Sequence, residues 1–214
     1  AGLDASMILV PARSDAGVSV FLVDPKASGI TIERIDTTTG IPEARITFDG
    51  APVLGVLGAE GAGADIVRWI ELRATAGLAA TAVGVCDAAL RITAEYTKTR
   101  EQFGRPIATF QAVSQRAGDA YIDTEAVRLT ALQAAWRISA GLPAETEVAI
   151  AKFWAADGGQ RVVHAAQHLH GGIGVDRDYP VHRYFLWAKS IELTLGGATQ
   201  QLLKIGKALA DRQV

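Results

Sequence analysis

The spacing of apolar and polar positions changes character once along this chain. Up to about Gly58 the apolar residues come in short runs, over 7–10, 18–23, 30–35 and 44–48, separated by Gly, Pro, Asp and Ser clusters. That pattern predicts short strands joined by turns, together a small antiparallel β segment. A few strands with no partner layer seldom hold alone, so they are expected to pack on helices or on a further part of the protein. The Gly-rich stretch 58–63 is the clearest break. From about Ala64 the period becomes helical, with Ile66, Ile70, Ala74, Leu78, Val85, Ala89, Ile92 and Tyr96 near one face at three- and four-residue steps.

This predicts a long helix ended by Gly104 and Pro106, and a second that Thr109 caps and Gly141-Leu142-Pro143 closes at about 139. A third is expected over about 145–169, then a loop carrying Gly171, Gly172 and Gly174, then shorter helices over 181–193 and 198–210. The expected class is α+β: part of an antiparallel β domain over 1–58, followed by an antiparallel helical bundle over 59–214.

Composition narrows the function classes. With 214 residues, 49% of them apolar, the chain can bury one substantial core. A net charge of -2 gives no electrostatic reason to expect nucleic acid or an anionic membrane as a partner. The apolar stretch 72–90 carries Arg73 and Asp87 and reads as a buried helix rather than a membrane span. The N-terminal residues lack a signal-peptide pattern and run at once into a strand, so the chain is expected to begin mid-domain. Cys86, the single cysteine, is expected in the core, in a reducing cytoplasmic setting. His164, His168, His170 and His182 have no carboxylate or cysteine at ligand spacing, so no metal site is predicted. Trp69, Trp136, Trp154 and Trp187 lie on helical patterns that suit core or interface. Gly172-Ile173-Gly174 follows a helix, not a strand, and so is not a dinucleotide fingerprint.

Three segments carry a family resemblance: Tyr96-Thr-Lys-Thr-Arg-Glu-Gln-Phe-Gly-Arg-Pro-Ile107 with Phe110-Gln111; His170-Gly-Gly-Ile-Gly174 with Asp178-Tyr-Pro-Val181 and Arg183; and Leu195-Gly-Gly-Ala-Thr-Gln200. Together they resemble the signatures of the flavin-dependent acyl-CoA dehydrogenases. The strand region is similar to the second half of that family's middle β domain, and the family's N-terminal helical domain has no counterpart in this sequence. The resemblance implies FAD as cofactor and an acyl-CoA thioester as substrate. It also implies that Arg100 and Phe103 reach the pyrophosphate and adenosine end of a neighbouring subunit's FAD. Arginine suits a phosphate because its planar fork donates two parallel charge-assisted hydrogen bonds. Gln102, Gln111, His168, Gly171, Gly172 and Gln200 are the other cofactor-binding residues it implies, with glycine permitting close approach of the backbone.

In active members a carboxylate removes the α-proton while the β-hydrogen leaves as hydride to FAD. Where they carry a Glu-Gly-Thr triplet this chain reads Gly196-Gly197-Ala198, so Gly196 occupies the base position and no catalytic residue is predicted there. The alternative base position of some relatives corresponds to Ala74, with Thr75 replacing an arginine beside it. Glu71, one turn earlier, is the only nearby carboxylate worth testing. The pattern resembles the glutamate-lacking subunit of actinobacterial α2β2 dehydrogenases that oxidise steroid side-chain CoA thioesters. The expectation is a chain that completes a paralogous partner's FAD site while that partner supplies the base. The alternatives are a self-sufficient homotetramer using Glu71, and a non-catalytic scaffold of the same fold.

Overall fold

The computed structural model describes residues 2–211, which form two compact units, one running to Glu71 and the other from Leu72 onward. In the first, β1 (Ile8–Ser14) and β2 (Gly17–Val23) pair antiparallel across a two-residue turn, with Ile8 opposite Val23. A second hairpin joins β3 (Ile30–Ile35) to β4 (Glu43–Phe48), Ile30 opposite Phe48. The strands thus divide between two sheets, because the free edge of β2 is taken by β5 (Gly55–Val56). β5 is too short to show a period, and the sequence pattern misses it.

Helix α1 (Gly63–Thr99) begins directly against β2. A Cβ at Gly63 would stand 2.7 Å from the Ser19 backbone, so only glycine permits this approach. Fully buried Ser19 accepts the Gly61 N–H at 2.8 Å, which ties the turn before the helix to the sheet.

The second unit is a helical bundle. Besides the rest of α1 it contains α2 (Gln111–Ser139), α3 (Glu145–His170), α4 (Val181–Leu193) and α5 (Ala198–Ala210). The central helix is α3, which packs against α2, α4 and α5 and is buried on nearly every turn. The core is built from small side chains: Ala79, Ala82 and Ala89 of α1 meet Val127, Ala131 and Ala134 of α2 and Val148, Ala151 and Ala155 of α3. Alanine favours the helix intrinsically and lets neighbouring axes come close.

This choice of small residues displaces the buried face of α1 from the expected one. The inward line is Thr75, Ala79, Ala82, Cys86, Ala89, Thr93 and Thr97, whereas Ile70 and Ala74 are exposed. Apolarity alone does not register that a tight helix contact selects for size. Buried Thr93, Thr97 and Thr124 lose no hydrogen bond, since they donate to the carbonyls of Ala89, Ala94 and Ala120.

By length and composition α1 is long and apolar enough to cross a membrane, Arg73 and Asp87 notwithstanding; in the bundle its small-residue face is packed into the core. Cys86 is wholly buried, and burial pushes its thiol up to about 12. Of the tryptophans only Trp154 packs on the core, while Trp69, Trp136 and Trp187 are exposed.

Polar locks pin the helices. Arg161 of α3 reaches both carboxylate oxygens of Asp123 on α2, at 2.7 and 2.8 Å, and also pairs with Asp157 while lying over Trp154. Arg128 of α2 bonds Asp87 of α1 at 3.0 Å.

Candidate functional site

Helix α1 stops at Thr99, and the chain then forms a miniature hairpin. β6 (Glu101–Gln102) pairs with β7 (Arg105–Pro106) around Phe103-Gly104. Both turn residues have positive φ, 56° and 75°, as a tight hairpin turn requires. A bulky residue in this region is strained by about 1–2 kcal/mol. The ends hold the turn: the Arg100 N–H donates to Tyr96 and the Ile107 N–H donates back to the Arg100 carbonyl, both at 2.8 Å. Phe103 is 92% exposed, edge-on to Phe110 at 6.1 Å, with the Arg105 guanidinium 4.3 Å above the Phe110 ring.

Thr109, the expected helix cap, instead ends a 3-10 turn and bonds the Pro106 carbonyl. α2 starts two residues later from Phe110, which provides no side-chain cap. The first turns of α2 are thereby left facing a cleft of about 460 Å³ lined by Ala112, Val113, Gln115, Arg116 and Asp119, and closed by His168 and Leu169 at the end of α3. An uncapped helix start and Arg116 favour an anion, and Asp119 opposes it.

Beyond His168 the chain turns at Gly171, whose φ is 64°. Side chains built at Gly171 or Gly172 would meet nothing within 4 Å, so both present bare backbone to open space. This turn is anchored from below by His170, which is 3% exposed and stacked on Tyr96 at 4.4 Å, with Tyr179 at 5.2 Å. His170 Nδ1 lies 2.7 Å from the Ala166 carbonyl and must carry the proton, leaving Nε2 as an acceptor with no hydrogen-bond partner. Burial holds the His170 pKa below its ordinary value, with the Ala166 bond opposing.

A second group of residues lies at the turn from α4 to α5. Leu195 and Gly196 have φ of 57° and 95°. A Cβ at Gly196 would stand 2.7 Å from Gln200 Oε1 and 3.0 Å from Gln201 Nε2. Beneath the turn Lys152 Nζ donates to the carbonyls of Glu192 at 3.1 Å and Gly196 at 2.9 Å. Gln201 Nε2 donates to those of Leu195 and Gly196 at 3.1 and 3.2 Å. Lys152 is 0% and Gln201 1% exposed. Burial pushes the Lys152 ammonium down to about 8, Glu192 opposing and Lys204 reinforcing.

Of the residues the sequence singled out, Arg100, Gln102, Phe103 and Gln111 share the hairpin and the helix start it leads into, and His168 lines the cleft beside them. Gly171 and Gly172 follow His168 directly. Gln200 belongs to the other group, next to Gly196. Glu71 sits exposed on α1. Sequence reading misses Arg116, Lys152 and Gln201, and it gives His170 no role of its own within the signature it opens. For Lys152 a signal existed, a cation at a core position of an alanine-rich helix.

A helical unit of this order, with these two sites, defines a class that comparison with known proteins makes explicit. Residues 61–210 match the model of the acyl-CoA dehydrogenase C-terminal domain, and the chain belongs to the acyl-CoA dehydrogenase family. It is 45% identical to acyl-CoA dehydrogenase FadE27 of Mycobacterium tuberculosis over 97% of its own length and 57% of that protein. Among solved structures it is similar to the ChsE4-ChsE5 complex from Mycobacterium tuberculosis, with TM-score 0.91 and 46% identity over 98% of this chain and 57% of the other. A variant of the Tcur3481-Tcur3483 steroid ACAD gives TM-score 0.89 and 44% identity over 98% and 56%. The chain thus spans a little over half the length of the relatives it matches.

Proposed function

We propose that this chain is part of an FAD-dependent acyl-CoA dehydrogenase subunit that completes the FAD site of a paralogous partner, the partner supplying the catalytic base. The single observation that carries this reading is the contrast between the two sites. At the base position stands a glycine with left-handed backbone and no side chain to take a proton, whereas Phe103 of the hairpin is exposed and the neighbouring cleft is open. Exposed Ile122, Leu129, Leu132 and Trp136, spaced at helical intervals along α2, fit an assembled protein rather than a free monomer. The similarity to one two-component complex and to one steroid-specific enzyme favours a hetero-partner and a steroid side-chain CoA thioester. The single buried thiol suits a cytoplasmic setting.

The residues fit the cofactor's diphosphate and adenosine parts. Arg100 would hold a phosphate through its guanidinium fork, exposed Phe103 would cover the adenosine half, and Gln102 and Gln111 would offer side-chain amide hydrogen bonds. His168 closes the cleft, and the bare backbone of Gly171 and Gly172 allows close contact. The bound cofactor would supply the hydride-accepting chemistry, with the partner's carboxylate taking the α-proton. Gly196 takes no part in that proton transfer, having no side chain.

Co-expressing the chain with and without a neighbouring dehydrogenase-like subunit tests this. Flavin absorbance, and its bleaching by acyl-CoA, is expected only in the mixed complex. Arg100→Ala should weaken flavin retention about tenfold to hundredfold. Bleaching by the chain alone overturns the reading, and Glu71→Gln then tests the self-sufficient homotetramer. Absence of flavin from both preparations favours a scaffold.

A further inference from the structure

The mechanism leaves unused the most thoroughly buried charged side chain among the described residues, Lys152. A lysine inside a core is costly unless its hydrogens find acceptors, and this one is directed at the end of α4, where unpaired carbonyls collect. We propose that Lys152 is the positioning residue of the α4–α5 turn: with Gln201 it gathers the carbonyls of Glu192, Leu195 and Gly196 and locks Leu195 and Gly196 in left-handed conformation. The geometry is specific in three respects. Two donors from different helices converge on one acceptor, Gly196 O, at 2.9 and 3.2 Å. Both donors are fully buried, so water does not compete for the carbonyls. Two successive residues of positive φ, one of them a leucine, persist only where the surroundings hold them.

The lock bears on the proposed function, because it holds the base position in a left-handed conformation that glycine adopts without strain, but it stands on its own geometry. Lys152 lies 16 residues before His168 on the same helix, roughly 24 Å along the axis. The lock and the cleft thus lie several helical turns apart.

The lock is also linked to protons. The charged groups facing Lys152 are Glu192 of α4, itself paired with Lys189 at 2.6 Å, and Lys204 of α5. An amine donates to both carbonyls as an ammonium does, but without the desolvation cost. In the closed turn the group titrates at about 8, and once opened to water at its ordinary 10.5. The open form therefore holds more protons between those values, and closure strengthens as pH rises, about tenfold from pH 7 to pH 9 by linkage.

Hydrogen exchange of the mixed complex, read as protection factors for the amides of 193–201, tests this. In wild type, protection is expected to rise about tenfold from pH 7 to 9. Lys152→Met should abolish that rise and lower protection at pH 9 about tenfold, leaving α2 amides unchanged. Wild-type-like protection in Lys152→Met overturns the proposal. If that variant does not fold, the wild-type profile decides, and a flat profile overturns it. Flavin retention that fails without a partner effect bears only on the proposed function, not on the lock.

Discussion

His170 shows how much one side chain can decide at the end of a helix. Its protonated Nδ1 is committed to Ala166 and its Nε2 is sealed without a partner, so the neutral ring is the form the fold accepts. The folded pKa lies below the ordinary 6.5. Below pH 6.5 the unfolded chain therefore takes up a proton that the folded one resists, and stability falls with falling pH. Thermal unfolding between pH 5 and 7.5 should show that loss in wild type and a flatter profile in His170→Phe, which keeps the stack on Tyr96 and Tyr179. Gly196 offers a second test at this scale. Gly196→Ala forces a Cβ onto a left-handed backbone beside buried Gln201, at a cost of about 1–2 kcal/mol. The melting temperature should drop by roughly 2–8 °C. Gly196→Glu should be destabilised likewise and should not restore dehydrogenation by the chain alone; robust activity would contradict the partner reading.

Among the elements, α3 organises the bundle and its contacts are of two kinds. Small apolar residues set how closely α1 and α2 approach it, and arginines set which turn meets which. The Arg161 fork on Asp123 is half exposed, so solvent screening limits what it contributes. A double-mutant cycle of Arg161→Ala and Asp123→Ala should give a coupling of about 0.5–1 kcal/mol that shrinks in high salt. A coupling of zero would make the pair a bystander to alanine packing. At this scale the sequence was informative where punctuation is chemical. Gly141 and Pro143 close α2, and the ranges 181–193 and 198–210 agree with α4 and α5. It misled where capping is tertiary: Thr109 has the side chain of a cap, but the hairpin before it sets the start of α2 at Phe110.

For the whole molecule, what matters is that the two sites lie toward opposite ends of α3. One is an open cleft with Arg116 and His168 in its lining; the other is a turn held by buried donors. Under the proposed function, cofactor contacts and catalytic base are divided between chains. Flavin retention that depends on a second subunit, and responds to Arg100, is the expected outcome for the assembled protein.

The linear sequence by itself determined the order of elements, because strand and helix periods, glycines and prolines act locally, and it carried the family signatures because those lie in contiguous strings. The tertiary structure alone decided the rest. Which face of α1 is buried depends on the size of side chains on α2 and α3, which no period in α1 encodes. The roles of Lys152, Gln201 and His170 depend on carbonyls and rings brought to them by other helices. Gly196 is the clearest case: the sequence shows that a side chain is missing, and only the folded turn shows that its backbone is left-handed and held by buried donors from α3 and α5.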